Sequence, residues 1–423
     1  MARNRQTRTP ILILGSLLAI ILALCGPAPA GAQVTLAHLQ ADLTRQLKLA
    51  GPHDGAYVYD ITDKQALFSE RANAMRPPAS VEKLYTSATA LDLLGAEARM
   101  TTAVYGLGHL APGGVWEGSL YLRGGGDPTF GTSAFVKSHY GGVGASLSTL
   151  VSQLVHTDGI KRVTGTVNGD ESYFDSLRGE PSSDYNFDPF LEGTLSALSF
   201  NRGETGHERG PHAPAAYAAR RLRAALREAG VALPKGGGAA STPAGVTLLA
   251  HVSSPTVSQL LGLMLPPSDN FFAETLLKDL GAHFGGAGTT AAGAGVVSRT
   301  ISSLLGIQPV VVDGSGLSPA DHTSPYQVAD MLVELEPTPV GAVLRDSLAV
   351  AGETGTLAER MRHTTAAGRC MGKTGTLTGA SNLVGYCQTV GGDLLAFAIF
   401  NDDISTYSAH VFQDHMVITI ASY

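Results

Sequence analysis

Apolar residues recur with the period of a helix near both ends of the chain. This pattern predicts helices from His38 to Leu49, from Ala79 to a stop at Gly95, and from His410 to Ala421. The second helix carries an unbroken apolar stripe, so we expect it to be buried.

Alternating and continuous apolar runs predict strands near the same ends. We expect a pair of strands, Ala56 to Asp60 and Ala66 to Ser69, and three antiparallel strands between Cys370 and Phe400. Two consecutive helices, Thr256 to Leu265 and Phe271 to Leu280, are predicted before that last sheet, opening at the cap and first-turn proline Ser254-Pro255.

The middle of the chain has a different composition, rich in glycine and in residues typical of turns. Its predicted elements are short: strands at Leu120 to Leu122 and Arg162 to Asn168, and helices at Leu147 to Leu154 and Pro214 to Ala229. We interpret residues 105–250 as an inserted lobe, or pair of lobes, that divides one domain into 33–104 and 251–423. The run Gly236 to Ala240 reads as a flexible connection.

The first 32 residues have the composition of a signal peptide. Three arginines precede an apolar run from Ile11 to Leu24, and small residues follow at Ala28 to Ala32. The run is shorter than the roughly 20 residues of a spanning helix, so an uncleaved anchor is the lesser alternative. We therefore expect an exported protein in the periplasmic or extracytoplasmic cell-wall space.

Composition narrows the possible partners. The net charge of −7 argues against nucleic acid. The 13 histidines are scattered singly and include no H-E-x-x-H pattern, which disfavours a zinc peptidase, and no cofactor is predicted. A hairpin turning at Thr378-Gly379 would set Cys370 opposite Cys387, which leaves a cross-strand disulfide and two buried free thiols both open.

One candidate nucleophile stands at the start of the predicted buried helix. In Ser80-Val81-Glu82-Lys83 the hydroxyl and the amine are at i and i+3, so they are neighbours on one helix face. A lysine partly desolvated in a cleft has a lowered pKa and can take the proton of a serine. Alone, the pattern is far more typical of a cap serine and a solvated lysine than of a nucleophile and its base.

Two further short motifs lie far along the chain. Ser268-Asp269-Asn270 falls between two helices, where short side chains can point into a cleft, although Ser268 could simply cap the next helix. Lys373-Thr374-Gly375-Thr376 falls on a predicted strand, offering a positive charge, a hydroxyl and a glycine that allows a substrate backbone to approach.

In this order, the three motifs are the signature of β-lactamases and penicillin-binding proteins. From about Ala56 to Phe400 the sequence resembles the class C low-molecular-mass penicillin-binding proteins, the D-Ala-D-Ala carboxypeptidase/endopeptidase family S13 related to penicillin-binding protein 4. Other stretches that carry the resemblance are Pro78-Ala79-Ser80, Leu91 to Gly95, Gly124 to Pro128, Asp269 to Glu274, Asp313 to Ser318 and Gly355 to Leu357. The long gap between the first two motifs agrees with this family, which has extra domains there.

The resemblance implies an α/β (α+β) fold of the penicillin-binding transpeptidase/β-lactamase type, with a central antiparallel sheet flanked by helices and an inserted lobe. It implies that peptidoglycan stem peptides are the substrates and β-lactam antibiotics the inhibitors. The implied catalytic residues are Ser80 as nucleophile, Lys83 as base and Ser268 as proton relay.

The implied substrate-binding residues are Asn270, Lys373, Thr374, Gly375, Thr376 and Asp127. Asn270 is expected to hold the peptide amide and Lys373 with Thr374 the terminal carboxylate, while the backbone N–H groups of Ser80 and Thr376 form an oxyanion hole. Asp127 is expected to contact the amino end of the donor side chain, or to be only a turn residue. Pro319 departs from the family, in which many members have an arginine at this position.

Two other functions share these motifs. A β-lactamase needs rapid deacylation, and no convincing E-x-x-L-N element lies between Ser80 and Ser268. A non-catalytic wall-binding or penicillin-sensing protein would not need Ser80, Lys83 and Lys373 together. The sequence therefore favours a serine-type D-Ala-D-Ala carboxypeptidase.

Overall fold

An antiparallel sheet of six strands forms the centre of the protein. The computed structural model describes residues 33–203 and 213–423, so the predicted signal peptide at residues 1–32 lies outside the described residues. In chain order the strands are β1 (Gly55–Asp60), β2 (Gln65–Glu70), β3 (Thr101–Ala111), β4 (Val115–Arg123), β5 (Arg162–Val163), β6 (Val167–Asp170), β7 (Thr247–Ser253), β8 (Ala349–Val350), β9 (Cys370–Leu377), β10 (Ala380–Gln388) and β11 (Leu394–Asp402). The central sheet has the order β2-β1-β11-β10-β9-β8.

Helices cover both faces of this sheet. In chain order the α-helices of the described residues, including those that pack on the second sheet, are α1 (Leu36–Ala50), α2 (Lys83–Leu93), α3 (Ser133–Tyr140), α4 (Leu147–Ser152), α5 (Pro214–Glu228), α6 (Val257–Met264), α7 (Asn270–Phe284), α8 (Thr290–Leu305), α9 (Pro325–Leu335), α10 (Pro339–Asp346) and α11 (Thr406–Ala421). Within residues 33–203 and 213–423, no helix is long and apolar enough to span a membrane.

Strand β11 explains why the final strands have continuous apolar sequences. Ala396, Ala398 and Phe400 pack into a core that contains α2 and α6 to α10. Leu395, Phe397 and Ile399, between them in sequence, pack into a second core with α1 and α11. Successive side chains point to opposite faces, and both faces are covered, so neither set is polar. The predicted antiparallel sheet between helices is confirmed.

The hairpin of β9 and β10 has the predicted register. The strands turn at Thr378-Gly379, and Cys370 lies opposite Cys387. These two cysteines form a disulfide, with Cα atoms 4.1 Å apart. The structure thereby decides between the two states that the sequence left open.

A second sheet contains the remaining strands and has its own core. Strands β5, β4, β3 and β7 are neighbours in that order, and β6 also pairs with β4. Helices α4 and α5 pack on this sheet through Leu150 and Leu222. Since the sheet begins at Thr101 and ends at Ser253, we infer that the inserted lobe extends slightly beyond the predicted 105–250 at both ends.

Three expectations for local structure were wrong. The run Gly236 to Ala240 is not a free connection, because Gly238 and Ala240 hydrogen bond with Gly169 at 2.8 and 2.9 Å. Gly237 allows this pairing, since a Cβ there would lie 1.9 Å from the Val167 carbonyl oxygen. The strand predicted at Arg162 to Asn168 is split between β5 and β6.

The start of helix α6 also differs from the prediction. Thr256, not Ser254, is the N-cap, and it forms a capping box with Gln259. Ser254 instead accepts a hydrogen bond from the backbone N–H of Met100 at 2.9 Å. Its hydroxyl therefore joins the end of β7 to the segment preceding β3.

Candidate active site

A strained turn presents Ser80 at the edge of the central sheet. The preceding residue, Ala79, has φ +50°, a conformation that is unfavourable for any residue with a side chain. The side chain of Asn382 on β10 holds the turn by donating hydrogen bonds to the Pro77 and Pro78 carbonyl oxygens at 2.9 and 2.8 Å. Ser80 itself is partly exposed, in the first part of a short 3-10 helix, Ala79–Glu82, that leads into α2.

Two glycines allow neighbouring segments to approach this turn. A Cβ on Gly375 of β9 would lie 2.4 Å from the Pro78 carbonyl oxygen and 3.3 Å from the Ser80 nitrogen. A Cβ on Gly316 would lie 1.9 Å from the Ala79 carbonyl oxygen. Gly375 therefore has a role besides the expected approach of a substrate, because it lets the turn at Ser80 pack against β9.

Lys83 joins the first motif to the rest of the site. Its Nζ donates to Ser80 Oγ at 2.9 Å, to Asn270 Oδ1 at 2.6 Å and to the Ser315 carbonyl oxygen at 2.7 Å. The side chain is fully buried at the start of α2. Burial lowers the pKa of Lys83 to about 8, although the carboxylates of Asp313 and Glu274 act in the opposite direction.

Buried carboxyl groups orient the loop that supplies the Ser315 carbonyl. Glu274 Oε1 accepts from the backbone N–H groups of Gly314 and Ser315 at 2.8 and 2.7 Å. Asp313 accepts from those of Gly316 and Ser318 at 2.6 and 2.7 Å. Burial, together with the charge of Asp313, raises the pKa of Glu274 to about 8.

The second motif occupies the turn before α7. Ser268 has φ +69°, and Asp269, not Ser268, caps the helix by accepting from the Phe272 N–H at 3.0 Å. Ser268 is thus free of the capping role that competed with a functional one. Its Oγ accepts a hydrogen bond from Lys373 Nζ at 2.8 Å, which connects the second motif to the third.

Asn270 has a partner at each end of its amide. Its Oδ1 accepts from Lys83, and its Nδ2 donates to the Phe190 carbonyl oxygen at 2.7 Å. The side chain of Phe190 is 72% exposed. The expected hydrogen bond from Asn270 to a peptide amide would have to share or replace one of these contacts.

The third motif brings a second buried lysine. Lys373 is 1% exposed and donates to Ser268 and to the Thr374 carbonyl oxygen, and within the described ranges it has no ion pair. Burial and then the charge of Lys83 lower the pKa of Lys373 well below its usual value. Thr374 Oγ1 donates to Thr356 Oγ1 at 2.8 Å, and Thr376 is exposed further along β9. An anionic ligand group would supply the missing counter-charge.

Asp127 is placed differently from the other candidates. It is 2% exposed, and one carboxylate oxygen accepts from Thr129 N and Oγ1 at 2.8 and 2.7 Å. Burial raises the pKa of Asp127 to about 6. These contacts are those of an aspartate in a turn, and its contact with a donor side chain stays a prediction. Pro319, at the family's arginine position, is exposed.

Sequence reasoning assigned no role to several residues that shape this site. These are Arg202, Glu274, Ser315, Thr356 and Asn382. Glu274, Ser315 and Thr356 fall in stretches that carry the family resemblance, and that resemblance was the signal that could have indicated a role for them. Asn382 and Arg202 had no such signal. In the described part of the chain, no cluster of His, Cys, Asp or Glu side chains could hold a metal ion.

Curated relatives match nearly the whole chain. A D-alanyl-D-alanine carboxypeptidase of Actinomadura sp. (strain R39) is 29% identical, with 100% of this chain and 91% of the relative covered. Carboxypeptidase DacB of Mycolicibacterium smegmatis is 31% identical, with 84% and 78% covered.

Solved structures establish the fold. Penicillin-binding protein 4 (dacB) of Haemophilus influenzae has a TM-score of 0.73 and 20% identity, over 91% of this chain and 98% of that one. The same protein complexed with a β-lactam has a TM-score of 0.68. A predatory peptidoglycan endopeptidase from Bdellovibrio bacteriovorus has a TM-score of 0.51 and 16% identity, over 82% and 85%.

The family profile of the D-Ala-D-Ala carboxypeptidase 3 (S13) family matches residues 36–189 and 191–423. That span includes both sheets and all three motifs. The chain therefore belongs to the D-Ala-D-Ala carboxypeptidase 3 (S13) family and is a peptidase of the serine carboxypeptidase/endopeptidase type.

Proposed function

We propose that this peptidase cleaves the D-Ala-D-Ala ends of peptidoglycan stem peptides through an acyl-enzyme on Ser80. The observation that carries the proposal is the 2.9 Å hydrogen bond between Ser80 Oγ and a fully buried Lys83. A serine becomes a nucleophile only with a base within hydrogen-bond reach, and burial favours the neutral amine that can serve as that base.

Acylation proceeds by attack of Ser80 Oγ on the carbonyl carbon between the two D-alanines. Neutral Lys83 Nζ takes the hydroxyl proton as the O–C bond forms. The C–N bond then breaks, and the leaving D-alanine amine receives, through the Ser268 hydroxyl, the proton that Lys83 took from Ser80. The hydrogen bond between Ser268 and Lys373 supports this relay, although Ser268 has no hydrogen bond to Lys83 within residues 33–203 and 213–423.

The terminal carboxylate of the substrate binds beside Lys373. This lysine is buried without a carboxylate partner in the described ranges. The terminal carboxylate of the substrate therefore provides the negative counter-charge. Thr374 adds a hydroxyl that Thr356 holds in place. A peptide lacking a free terminal carboxylate would be a poor substrate for the same reason.

The backbone N–H groups of Ser80 and Thr376 stabilise the oxyanion. Support comes from the close contact of β9 with the nucleophile turn at Gly375. Each preorganised donor of this kind contributes about 3 kcal/mol to the stability of the transition state. Water then hydrolyses the ester, which releases the peptide acid and regenerates Ser80.

The substrate class also implies where the protein acts and which compounds inhibit it. Stem peptides lie outside the cytoplasmic membrane, which agrees with the signal-like segment at residues 1–32. A β-lactam presents a strained amide to the same serine and leaves a stable acyl-enzyme. The β-lactam complex of the Haemophilus influenzae relative supports this inhibition.

Labelling with benzylpenicillin followed by peptide mass spectrometry tests the proposal. We expect one adduct, on the peptide containing Ser80, and none in Ser80→Ala. An adduct elsewhere, or none on folded protein, would contradict the assignment. Release of D-alanine from a stem peptide separates an enzyme from a non-catalytic penicillin-binding protein, and rapid hydrolysis of nitrocefin would indicate a β-lactamase instead.

A further inference from the structure

Residues 171–203, which we name the strap, run along helix α7 from its carboxyl end to its amino end. The strap belongs to the segment between the first two motifs. Its polar contacts with α7 and the α7 cap are Tyr173 to His283 at 2.7 Å, Asp175 to Lys278 at 2.6 Å, the Phe190 carbonyl to Asn270 at 2.7 Å, and Arg202 to Asp269. The last two contacts reach the second motif itself.

Arg202 binds the central residue of that motif in two places. Its Nη1 lies 2.5 Å from Asp269 Oδ2, and its Nη2 lies 3.1 Å from Asp269 Oδ1. Both side chains are almost fully buried. A bidentate pair of this kind defines the plane and direction of the carboxylate as well as its position. The same carboxylate caps α7 through the Phe272 N–H.

The guanidinium of Arg202 is itself held on several sides. Its Nε donates to the Glu192 carbonyl oxygen at 2.8 Å, and the group lies 5.0 Å from the centre of the Phe271 ring. The backbone of Arg202 has φ +54°, and its carbonyl accepts from the Thr194 N–H at 2.9 Å. A residue in this conformation persists only where its surroundings hold it.

The residues on either side of Asp269 are the two that enter the proposed chemistry. Ser268 has φ +69° and reaches Lys373, whereas Asn270 reaches Lys83. Both depend on the direction of a short turn. Two contacts join this turn to the strap: the Arg202–Asp269 pair, which holds the residue at its centre, and the hydrogen bond from Asn270 to the Phe190 carbonyl oxygen. A shift of this turn would separate both side chains from their lysines.

We propose that Arg202 is a positioning residue that fixes Ser268 and Asn270 against the two active-site lysines. The inserted segment then completes the active site and does more than extend the surface of the protein. This inference rests on the proposed function, because the affected rate is acylation of Ser80.

A second ion pair between the same two elements provides a matched control. Lys278 of α7 pairs with Asp175 of the strap at 2.6 Å, and Lys278 is fully buried. It lies two helical turns along α7 from Asn270, and its amine donates hydrogen bonds to Asp175 and to the Leu177 carbonyl oxygen, both outside the three motifs. Loss of Arg202 leaves the carboxylate of Asp269 without its partner, and loss of Lys278 leaves that of Asp175 without its partner, so both losses destabilise the fold.

The test compares Arg202→Met with Lys278→Met in the full chain. We measure the second-order rate constant for benzylpenicillin acylation and the Tm of each variant. We expect both variants to lose Tm to a similar extent, but only R202M to lose acylation, by about 100-fold, as for a misplacement of about 1 Å in a catalytic group. Equal acylation losses, or none in R202M, would overturn the inference.

A double variant separates the effect on the position of Ser268 and Asn270 from the effect on the stability of the fold. It also replaces R202M in the test if R202M does not fold. In Arg202→Met with Asp269→Asn, the buried charge is gone and asparagine still caps α7. We expect its Tm to recover while acylation stays low, and Arg202→Lys to be intermediate because it lacks the fork of donors. Recovered acylation in the double variant would overturn the inference. An unlabelled wild-type Ser80 would instead overturn the proposed function, and the inference with it.

Discussion

Lys83 Nζ lies 2.6 Å from Asn270 Oδ1, so the first two motifs touch although 187 residues separate them in sequence. The amide oxygen and the Ser315 carbonyl both stabilise the charged amine, whereas burial favours the neutral one. The balance between these effects decides how much of the lysine is available as a base at neutral pH.

We predict that acylation accelerates as the pH rises through about 8. The reason is that burial lowers the pKa of Lys83 to about 8, and only the neutral form above that pKa can take the Ser80 proton. The measurement is the benzylpenicillin acylation rate constant as a function of pH, with Tm followed over the same range as a control. A constant or falling rate constant would contradict Lys83 as the base.

Asn270→Asp should move that profile to higher pH. A carboxylate in place of the amide stabilises the charged lysine and raises its pKa by about one unit or more. We therefore expect slower acylation at neutral pH and partial recovery in alkaline buffer. Asn270→Ala, which removes the acceptor, should not move the profile upward. Identical profiles for the wild type and N270D would show that this contact does not tune Lys83.

Lys373→Met should remove the preference for a free terminal carboxylate. One charge-assisted hydrogen bond of up to about 3 kcal/mol corresponds to about a 100-fold loss in kcat/KM. The measurement compares a D-Ala-D-Ala peptide with the same peptide as its C-terminal amide. The amide should be affected little, and the exposed Lys235→Met control should affect neither. Equal losses on both peptides would argue against carboxylate binding.

Gly375→Ala should abolish most acylation, because the new methyl group would lie 2.4 Å from the Pro78 carbonyl oxygen and displace the Ser80 turn. Gly262→Ala on α6 is the control, since a Cβ there meets nothing within 4 Å. We expect G262A to keep its activity and to gain roughly 0.5–1 kcal/mol of stability. Unchanged acylation in G375A would show that the turn can move without consequence.

Replacing both Cys370 and Cys387 by alanine should lower the free energy of unfolding by about 2–4 kcal/mol, in line with the loop that the disulfide closes. Urea unfolding measures the loss. Labelling of the unfolded wild type at these two cysteines with a thiol reagent should require prior reduction. Labelling without reductant would show that they are free.

Much of the fold follows from local patterns. The helices α1 and α11, the hairpin of β9 and β10, and the facing cysteines were predicted, because periodicity and turn residues are properties of neighbouring positions. Helix α8, Thr290–Leu305, had no prediction, because its first six residues are all small, although Val297 and Ile301 have helical spacing and are buried. The strands β5 and β6 were predicted as one strand, although Gly165 in the break between them was a local signal of the interruption.

The candidate site divides in the same way. The sequence by itself determined the three motifs and their order, and these indicated Ser80, Lys83, Ser268 and Lys373 as the chemical groups. Only the tertiary structure decided which groups hold them. The Ser315 carbonyl accepts from Lys83, Asn382 donates to the turn that precedes Ser80, and Arg202 pairs with Asp269. Those partners come from distant segments, and packing of whole elements sets their distances, so no local pattern of residues encodes them.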